Sequence, residues 1–216
     1  MNIPWLVRDS YSRWVHLFIG GACTLILYQL TNRVHVIEPK LLNFGFVDSR
    51  MPFWPWTVWI YFTEYAFFVY AYFWMRDLGL VTRYYYAYMT ILFVSVGVFM
   101  ISPVTFPRDS FPVTGTSFSD GAMTFLRTYM DAPANCLPSL HVSSCFISSL
   151  CFWQESRRRA IFLCIWSCFV AISTMTTKQH YFVDVWTAMI LTGVCYWFFF
   201  YKAELVGSGR PEGAIR

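Results

Sequence analysis

Two short stretches, each at the end of a long apolar segment, carry histidine beside other polar residues. One reads Pro-Ser-Leu-His and ends at His141, and the other runs from His180 to Asp184. A histidine at a membrane boundary can take or give a proton near neutral pH. A histidine and an aspartate four residues apart meet on one face of a helix. The two stretches together predict a reactive centre built on imidazole rings.

The first stretch suits the start of a membrane helix. Proline is favoured in the first helical turn, where its missing N–H group costs nothing, so we expect a span to begin at Pro138. The free main-chain N–H groups near Ser139, Leu140 and His141 would then form an anion site. Ser139 adds a hydroxyl donor, and His141 lies one turn into the helix, where it could protonate a leaving oxygen. This pattern predicts a phosphate ester as the substrate.

The second stretch opens another span with a nucleophile and its partner. Asp184 can hold one ring nitrogen of His180 and leave the other nitrogen free to attack, which is the orienting logic of a catalytic triad. Arg108 and Lys178 are cations predicted on the same side of the membrane. Arg108 could clamp a phosphate through two hydrogen bonds, whereas Lys178 would act as a point charge.

The composition is that of an integral membrane protein. Of the 216 residues, 57% are hydrophobic and 13% are charged, whereas a soluble domain carries roughly 25% charged residues. We therefore expect one membrane domain over residues 1–216, with the motif-bearing catalytic half at about 101–201. The net charge of +4 reflects arginines in the loops and no basic stripe, so nucleic acid is not expected as a partner.

Six apolar segments approach the length of about 20 residues that a membrane-spanning helix needs. The predicted fold is therefore all-α, an integral membrane bundle of six transmembrane helices. The segments are Val15–Thr31, Pro55–Trp74, Tyr84–Ser102, Ser139–Trp153, Ala160–Met175 and Val183–Tyr201. The fourth and fifth segments are short.

The distribution of arginine and lysine predicts the orientation. An even number of spans puts both termini on one side, and the positive-inside rule assigns that side to the cytoplasm. The run from Arg157 to Arg159 is the strongest single indication, and Arg210 and Arg216 add to it. Both reactive stretches then face the periplasm or the lumen.

In the long outer loop, residues 119–130 have the pattern of a short amphipathic helix, either on the membrane surface or packed within the loop.

The two stretches resemble a known family. Pro-Ser-x-His ending at His141, followed by His-x-x-x-Asp from His180 to Asp184, is similar to the motifs of the type 2 phosphatidic acid phosphatase superfamily. With Ser173-Thr174-Met175 included, the pattern looks like the inositol phosphorylceramide synthase branch. The resemblance covers the chain from about residue 101 onward. The family's fold, with six spans, is the one expected here.

The resemblance implies a mechanism through a phosphohistidine, without metal or other cofactor. His180 would attack phosphorus, Asp184 would assist it, and His141 would protonate the leaving group. Ser139 would bind the phosphate. Water or a second alcohol would then take the phosphoryl group. The implied partners are a lipid phosphate substrate and, where the reaction is transfer, a lipid alcohol acceptor.

The chain departs from the family's pattern at three points. Leu140 replaces a glycine, a change that is common in the synthase branch. Thr174 stands where the third motif usually has the phosphate-binding arginine, and Lys178 is the candidate to supply the lost charge. The first motif is absent in its standard form, and Arg108 occupies the corresponding place in the outer loop.

Other interpretations of these residues stay open from the sequence. A metal site made of His141, His180 and Asp184 is chemically possible, although we expect none. Glu64 lies mid-span, where a carboxylate is often functional, but nearby tyrosines slightly favour a structural role. Hydrolysis and headgroup transfer use the same residues. A lipid-binding or transport protein that has lost catalysis is the alternative from another class.

Overall fold

The computed structural model describes residues 1–206, which are mostly helical. The C-terminal end of the predicted domain, including Arg210 and Arg216, lies outside the described residues. The helices are α1 (Ser10–Arg33), α2 (Phe46–Arg50), α3 (Val58–Phe62), α4 (Glu64–Trp74), α5 (Leu78–Ile101), α6 (Phe118–Phe125), α7 (Leu140–Leu150), α8 (Arg157–Thr176) and α9 (Phe182–Trp197). Short 3₁₀ turns cover Pro55–Thr57 and Arg108–Ser110, and π-helical turns cover Leu126–Met130 and Phe198–Lys202. The strands are β1 (Asn2–Pro4), β2 (Lys40–Leu41), β3 (Val104–Thr105) and β4 (Glu204–Val206).

Within residues 1–206, four helical segments are long and apolar enough to cross a membrane. They are α1, α5, α8 and the segment Phe182–Lys202, which joins α9 to the π-helical turn after it. These four correspond to the first, third, fifth and sixth predicted spans. The expectation of an integral membrane protein is thus supported, whereas the count of six spans is not confirmed.

The other two predicted spans take different forms. The second is divided at Thr63 into α3 and α4. The fourth contains α7, whose 11 residues extend roughly 16 Å, well short of a hydrocarbon core of about 30 Å. Apolar helices of this length are typical of a buried core. Helix α7 indeed packs against α4, α5, α8 and α9, and all its residues but Phe146 and Leu150 are buried.

Serines let the neighbouring helices approach α7 closely. The hydroxyl of Ser149 lies 2.9 Å from that of Ser167 on α8, and Ser148 lies 2.8 Å from the hydroxyl of Tyr84 on α5. Small hydroxylated side chains are favoured where helices pack inside membranes, because they combine close backbone contact with a hydrogen bond. The core around α7 therefore depends on hydrogen bonds as well as on apolar packing.

The two ends of the bundle hold different parts of the chain. At one end, β1 pairs in parallel with β4, so the first residues lie beside residues 204–206. At the other end, β2, which follows α1, pairs in parallel with β3, which follows α5. The predicted amphipathic helix of the long outer loop is present as α6 and the π-helical turn Leu126–Met130, and it buries Met123 and Leu126 against Val58 and Tyr61. Both described ends of the chain thus lie at one end of the bundle, away from the loop.

Replacement of Ser167 by leucine should destabilise the bundle, because the larger side chain enters the α7–α8 contact and removes the bond to Ser149. Overpacking of this kind costs about 1–3 kcal/mol. The measurement is the thermal midpoint of unfolding in detergent micelles. The control is Cys168→Leu at the next position of the same helix, which is exposed. Equal midpoints for the two variants would contradict the packing described here.

Candidate functional site

The loop between α8 and α9 presents His180. The chain leaves α8 through Lys178, whose φ of 58° is left-handed, and the N–H groups of Gln179 and His180 both donate to Thr174 O, at 2.9 and 3.2 Å. Asp184 follows in the first turn of α9, where its carboxylate also accepts the Tyr181 N–H at 2.8 Å. The main-chain turn and the helix start thus fix His180 and Asp184 relative to each other.

The imidazole of His180 is held from one side. Its Nδ1 lies 3.3 Å from Asp184 Oδ2 and 3.0 Å from Cys136 O. Because both neighbours are acceptors, Nδ1 carries the proton and donates, which leaves the Nε2 lone pair free. The structure therefore places Asp184 beside His180 Nδ1 and leaves Nε2 turned towards His141.

The two reactive stretches meet inside the bundle. His141 Nδ1 lies 3.1 Å from His180 Nε2, and both rings are buried. The Ser139 N–H donates to Asp184 O at 3.2 Å, which joins the start of α7 to the start of α9. The Ser139 hydroxyl caps α7 by accepting the Val142 N–H at 3.3 Å. Leu140 is buried beside His141. The motif residues are therefore adjacent, as expected.

A buried aspartate that sequence reasoning missed completes the site. Asp131 is 2% exposed and lies in the loop before α7. Its Oδ2 accepts the Tyr61 hydroxyl at 3.0 Å, and its Oδ1 accepts the Tyr28 hydroxyl at 2.5 Å. The Tyr61 oxygen lies in turn 2.9 Å from His141 Nε2. Asp131 thus contacts His141 through Tyr61. No spacing in the sequence indicates this, because Tyr61 is 70 residues from Asp131.

Asp131 is ionised in the folded protein. Burial raises its pKa, but the charge of Arg108 and the hydrogen bond from Tyr28 help to lower it, and the net pKa is about 2. Arg108 donates to both the main-chain oxygen and the carboxylate of Asp131, the latter at 3.2 Å. The buried charge is therefore paired and hydrogen-bonded, which is the condition under which a buried carboxylate is tolerated.

The side chains form a chain of hydrogen bonds between two carboxylates. The chain runs from Asp184 through His180, His141 and Tyr61 to Asp131. Each of its four links needs one proton, whereas two neutral imidazoles and one phenol supply three. The full set forms only when one additional proton resides on the imidazole pair. The two carboxylates are thus placed to stabilise positive charge that develops on either histidine.

The cations near the site gather around Phe111. Lys178 Nζ donates to Met51 O at 2.5 Å and lies 4.6 Å from the centre of the Phe111 ring. Arg127 donates to Phe111 O at 2.8 Å, and the Phe111 N–H donates to Arg108 O at 2.9 Å. Lys178 thus contacts Met51 and Phe111, whereas Arg108 contacts Asp131. Neither side chain bonds to the imidazole of His180.

Arg127 is a second residue that the sequence did not single out. It is half-buried in the π-helical turn Leu126–Met130 and also donates to Thr177 O at 3.2 Å. Burial lowers its pKa to about 10, and the like charge of Arg108 contributes to the shift. Arg127 therefore stays charged at neutral pH. The only sequence signal was its position as a basic residue within the amphipathic segment 119–130.

Three potential metal ligands lie together, although they differ from the set considered in the sequence. Within residues 1–206, ligand atoms of Cys136, His180 and Asp184 lie within 4.8 Å of one another. Burial raises the pKa of the Cys136 thiol, whereas the thiolate is the form that binds metal. The thiol contacts Pro133 O at 3.3 Å. His180 and Asp184 are hydrogen-bonded to each other. This donor set favours a structural thiol over a metal site.

Replacement of Asp131 by asparagine should destabilise the fold by about 3–5 kcal/mol, because Arg108 then keeps a buried charge without its partner. The folded-state pKa of Asp131 is lowered from 3.8 to about 2. The stability that the ionised carboxylate contributes to the fold is therefore complete above pH 3.8 and is lost as the pH falls towards about 2. Thermal midpoints in detergent should show a gap between wild type and variant that narrows from pH 7 to pH 3. The exposed neighbour Asp109→Asn is the control. A gap independent of pH would argue against the ion pair.

Comparison with known proteins identifies the family of the chain. A family model described as the PAP2 superfamily matches residues 26–198, which include every reactive residue described above. No curated protein matches the chain. Because the match covers more than half of the 216 residues, the chain belongs to the PAP2 superfamily, a group of phosphatases and phosphotransferases.

Proposed function

We propose that this PAP2 superfamily member cleaves or transfers a lipid phosphoester through a phosphohistidine intermediate. The observation that carries the proposal is the contact between the two motifs. His180 is oriented by Asp184, and its free Nε2 lies 3.1 Å from a second imidazole, that of His141. The residues that we propose as nucleophile, orienting carboxylate and general acid thus share one buried site, which supports covalent catalysis.

In the first step, His180 Nε2 attacks phosphorus, an N–P bond forms, and the P–O ester bond breaks. His141 gives its proton to the leaving alkoxide, while Asp184 stabilises the charge that appears on His180. Binding of phosphorus requires that the contact between the two rings open. In the second step, the oxygen of water or of an alcohol attacks phosphorus, His141 takes the proton from that oxygen, and the N–P bond breaks.

The phosphate would be bound by the N-terminus of α7, through the main-chain N–H groups of Leu140 and His141 and the hydroxyl of Ser139, because the Ser139 N–H already donates to Asp184 O. Arg108 and Lys178 supply positive charge, as the sequence predicted. We add Arg127 to this set, because burial and the like charge of nearby Arg108 lower its pKa to about 10, so a bound anion would offset the charge of both side chains. An anion bound between the two arginines would relieve their repulsion. Arg127 would then supply the positive charge that the third motif lacks, because Thr174 stands where the family usually has an arginine.

The same residues serve two reactions. Water as acceptor gives a lipid phosphatase, and a lipid alcohol as acceptor gives a headgroup phosphotransferase. Leu140 and the Ser-Thr-Met sequence from Ser173 favour the inositol phosphorylceramide synthase-like branch and hence transfer. The proposed topology has six spans, cytoplasmic termini and a site facing the periplasm or the lumen. A catalytically inactive lipid-binding or transport protein is the alternative, and it would not need the His180–Asp184 pair.

Replacement of His180 by alanine should abolish turnover, because the N–P bond cannot form. The expected loss is at least about a thousand-fold in kcat, as for other covalent nucleophiles. The assay measures phosphate release from mixed lipid phosphates in detergent, with EDTA present and with or without ceramide or diacylglycerol. The control is His35→Ala, which removes an exposed loop histidine.

Each outcome of this assay distinguishes the candidates. Free phosphate from wild type and His35→Ala identifies a phosphatase, and a new acceptor-dependent lipid identifies a phosphotransferase. Wild-type turnover lost in EDTA and restored by zinc would contradict the metal-free mechanism. Wild-type silence, together with lipid binding retained in His180→Asn, would support the transport or binding alternative.

Replacement of Tyr61 by phenylalanine should lower kcat by about tenfold to a hundredfold while KM changes little, because Tyr61 positions His141 without contacting substrate. The acidic limb of the pH–rate profile should also move, since the hydroxyl links His141 to Asp131. The control is Tyr86→Phe, whose hydroxyl donates to Pro4 O at the opposite end of the bundle. A KM effect alone would show that Tyr61 shapes the substrate site instead.

A further inference from the structure

A cavity of about 330 Å³ lies beside His141. Its walls come from α1, α4 and α5, from the π-helical turn at Met130 and from the start of α7. Most of the wall is apolar or aromatic, with Leu25, Phe68 and Tyr88 on three different helices. Its volume falls in the range of sites for small ligands, about 300–1,000 Å³. The cavity therefore has room for part of an amphiphilic molecule.

Glu64 places a carboxylate in this apolar wall. The residue is 6% exposed, and its Oε1 lies 3.9 Å from His141 Nε2. Among residues 1–206, no group donates a hydrogen bond to it. A buried carboxylate without donors is unfavourable, and such groups in membrane proteins mark substrate sites. Glu64 thus presents a hydrogen-bond acceptor that a ligand with a hydroxyl group would satisfy.

The geometry of phosphoryl transfer relates this cavity to the reaction. The attacking and leaving groups stand roughly in line on opposite sides of phosphorus. His141, the proton donor to the leaving oxygen, lines the cavity, whereas His180, the nucleophile, is not part of its wall. A phosphate attacked by His180 therefore directs its leaving oxygen towards His141 and the cavity.

The cavity opens on the lipid-facing side of α1. Leu25 lines it and is 64% exposed, and α1 is one of the segments long and apolar enough to span a membrane. An apolar chain that enters here continues into the bilayer without crossing a polar surface. The occupant that fits both features is a membrane lipid with a hydroxyl group.

We infer that this cavity is the alcohol subsite of the enzyme. It binds the lipid alcohol that leaves in the first step and the lipid alcohol that attacks in the second, and a hydroxyl of that alcohol donates to Glu64. His141 gives its proton to the leaving alkoxide and takes the proton of the incoming hydroxyl, so Glu64 transfers no proton itself. The inference rests on the proposed function and assigns the place where its lipid alcohol binds.

A bulky side chain at Gly21 tests the subsite. Gly21 lines the cavity, and a Cβ there would meet only Phe68 Cε1, at 3.9 Å, so a leucine would extend into the space without a backbone clash. The assay compares kcat/KM for dioleoyl phosphatidic acid in micelles with kcat/KM for p-nitrophenyl phosphate. The ratio of the two should fall about tenfold in Gly21→Leu.

The matched control is Gly193→Leu. Gly193 is exposed on α9, and a Cβ there meets nothing within 4 Å, so the same substitution is made in a membrane helix away from the cavity. Its ratio should equal that of wild type. Thermal midpoints in detergent show whether Gly21→Leu is folded, and Gly21→Ala provides a milder variant if it is not.

Replacement of Glu64 tests the hydroxyl contact. Glu64→Leu should lower transfer to a diacylglycerol acceptor about tenfold relative to hydrolysis of p-nitrophenyl phosphate. Glu64→Gln keeps an acceptor oxygen and should therefore retain most of the transfer activity. The subsite assignment would be wrong if Gly21→Leu lowered kcat/KM equally for both substrates, or if Glu64→Leu left the ratio of transfer to hydrolysis unchanged. The proposed function would still hold in either case. Wild-type inactivity on both substrates would overturn the proposed function and the subsite with it.

Discussion

The rest of the site depends on the histidine pair held between two buried carboxylates. Asp184 fixes His180 directly, and Asp131 fixes His141 through Tyr61. Imidazole is a useful acid or base only when its tautomer and orientation are set, and neighbouring acceptors set both. The buried carboxylates also favour any proton or charge that appears between them. The surrounding helices can be understood as the means of bringing these groups together without water.

Helix α7 does most of this positioning. Its 11 residues are too few to cross a bilayer by themselves, and α4, α5, α8 and α9 surround it. Its N-terminus stands at the reactive centre and is tied to α9 by the bond from Ser139 to Asp184 O. Serines along the helix permit close packing on both sides. A short, serine-containing helix surrounded by α4, α5, α8 and α9 thus holds His141 beside His180.

The reactive centre separates two environments. On one side lies the loop with Arg108, Arg127 and Lys178 around Phe111, which suits an anion. On the other side lies the apolar cavity with Glu64, which suits an uncharged chain bearing a hydroxyl. A phosphoester joins these two kinds of group at the bond that is broken. The site is thus complementary to its proposed substrate, because the cationic loop and the apolar cavity both reach the histidines.

The sequence by itself determined the class of protein, the membrane helices that are strongly apolar and the pairing of His180 with Asp184, because composition and i,i+4 spacing are local properties. It also predicted that His141 would meet them, from the placement of both stretches on one side of the membrane and from the resemblance to a known family. It overestimated the length of the fourth span, since an apolar run does not reveal whether lipid or protein surrounds it. Tertiary structure alone determined that Asp131, Tyr61 and Arg127 lie at the site. Their roles come from contacts between segments far apart in the chain, and neither residue type nor spacing encodes such contacts.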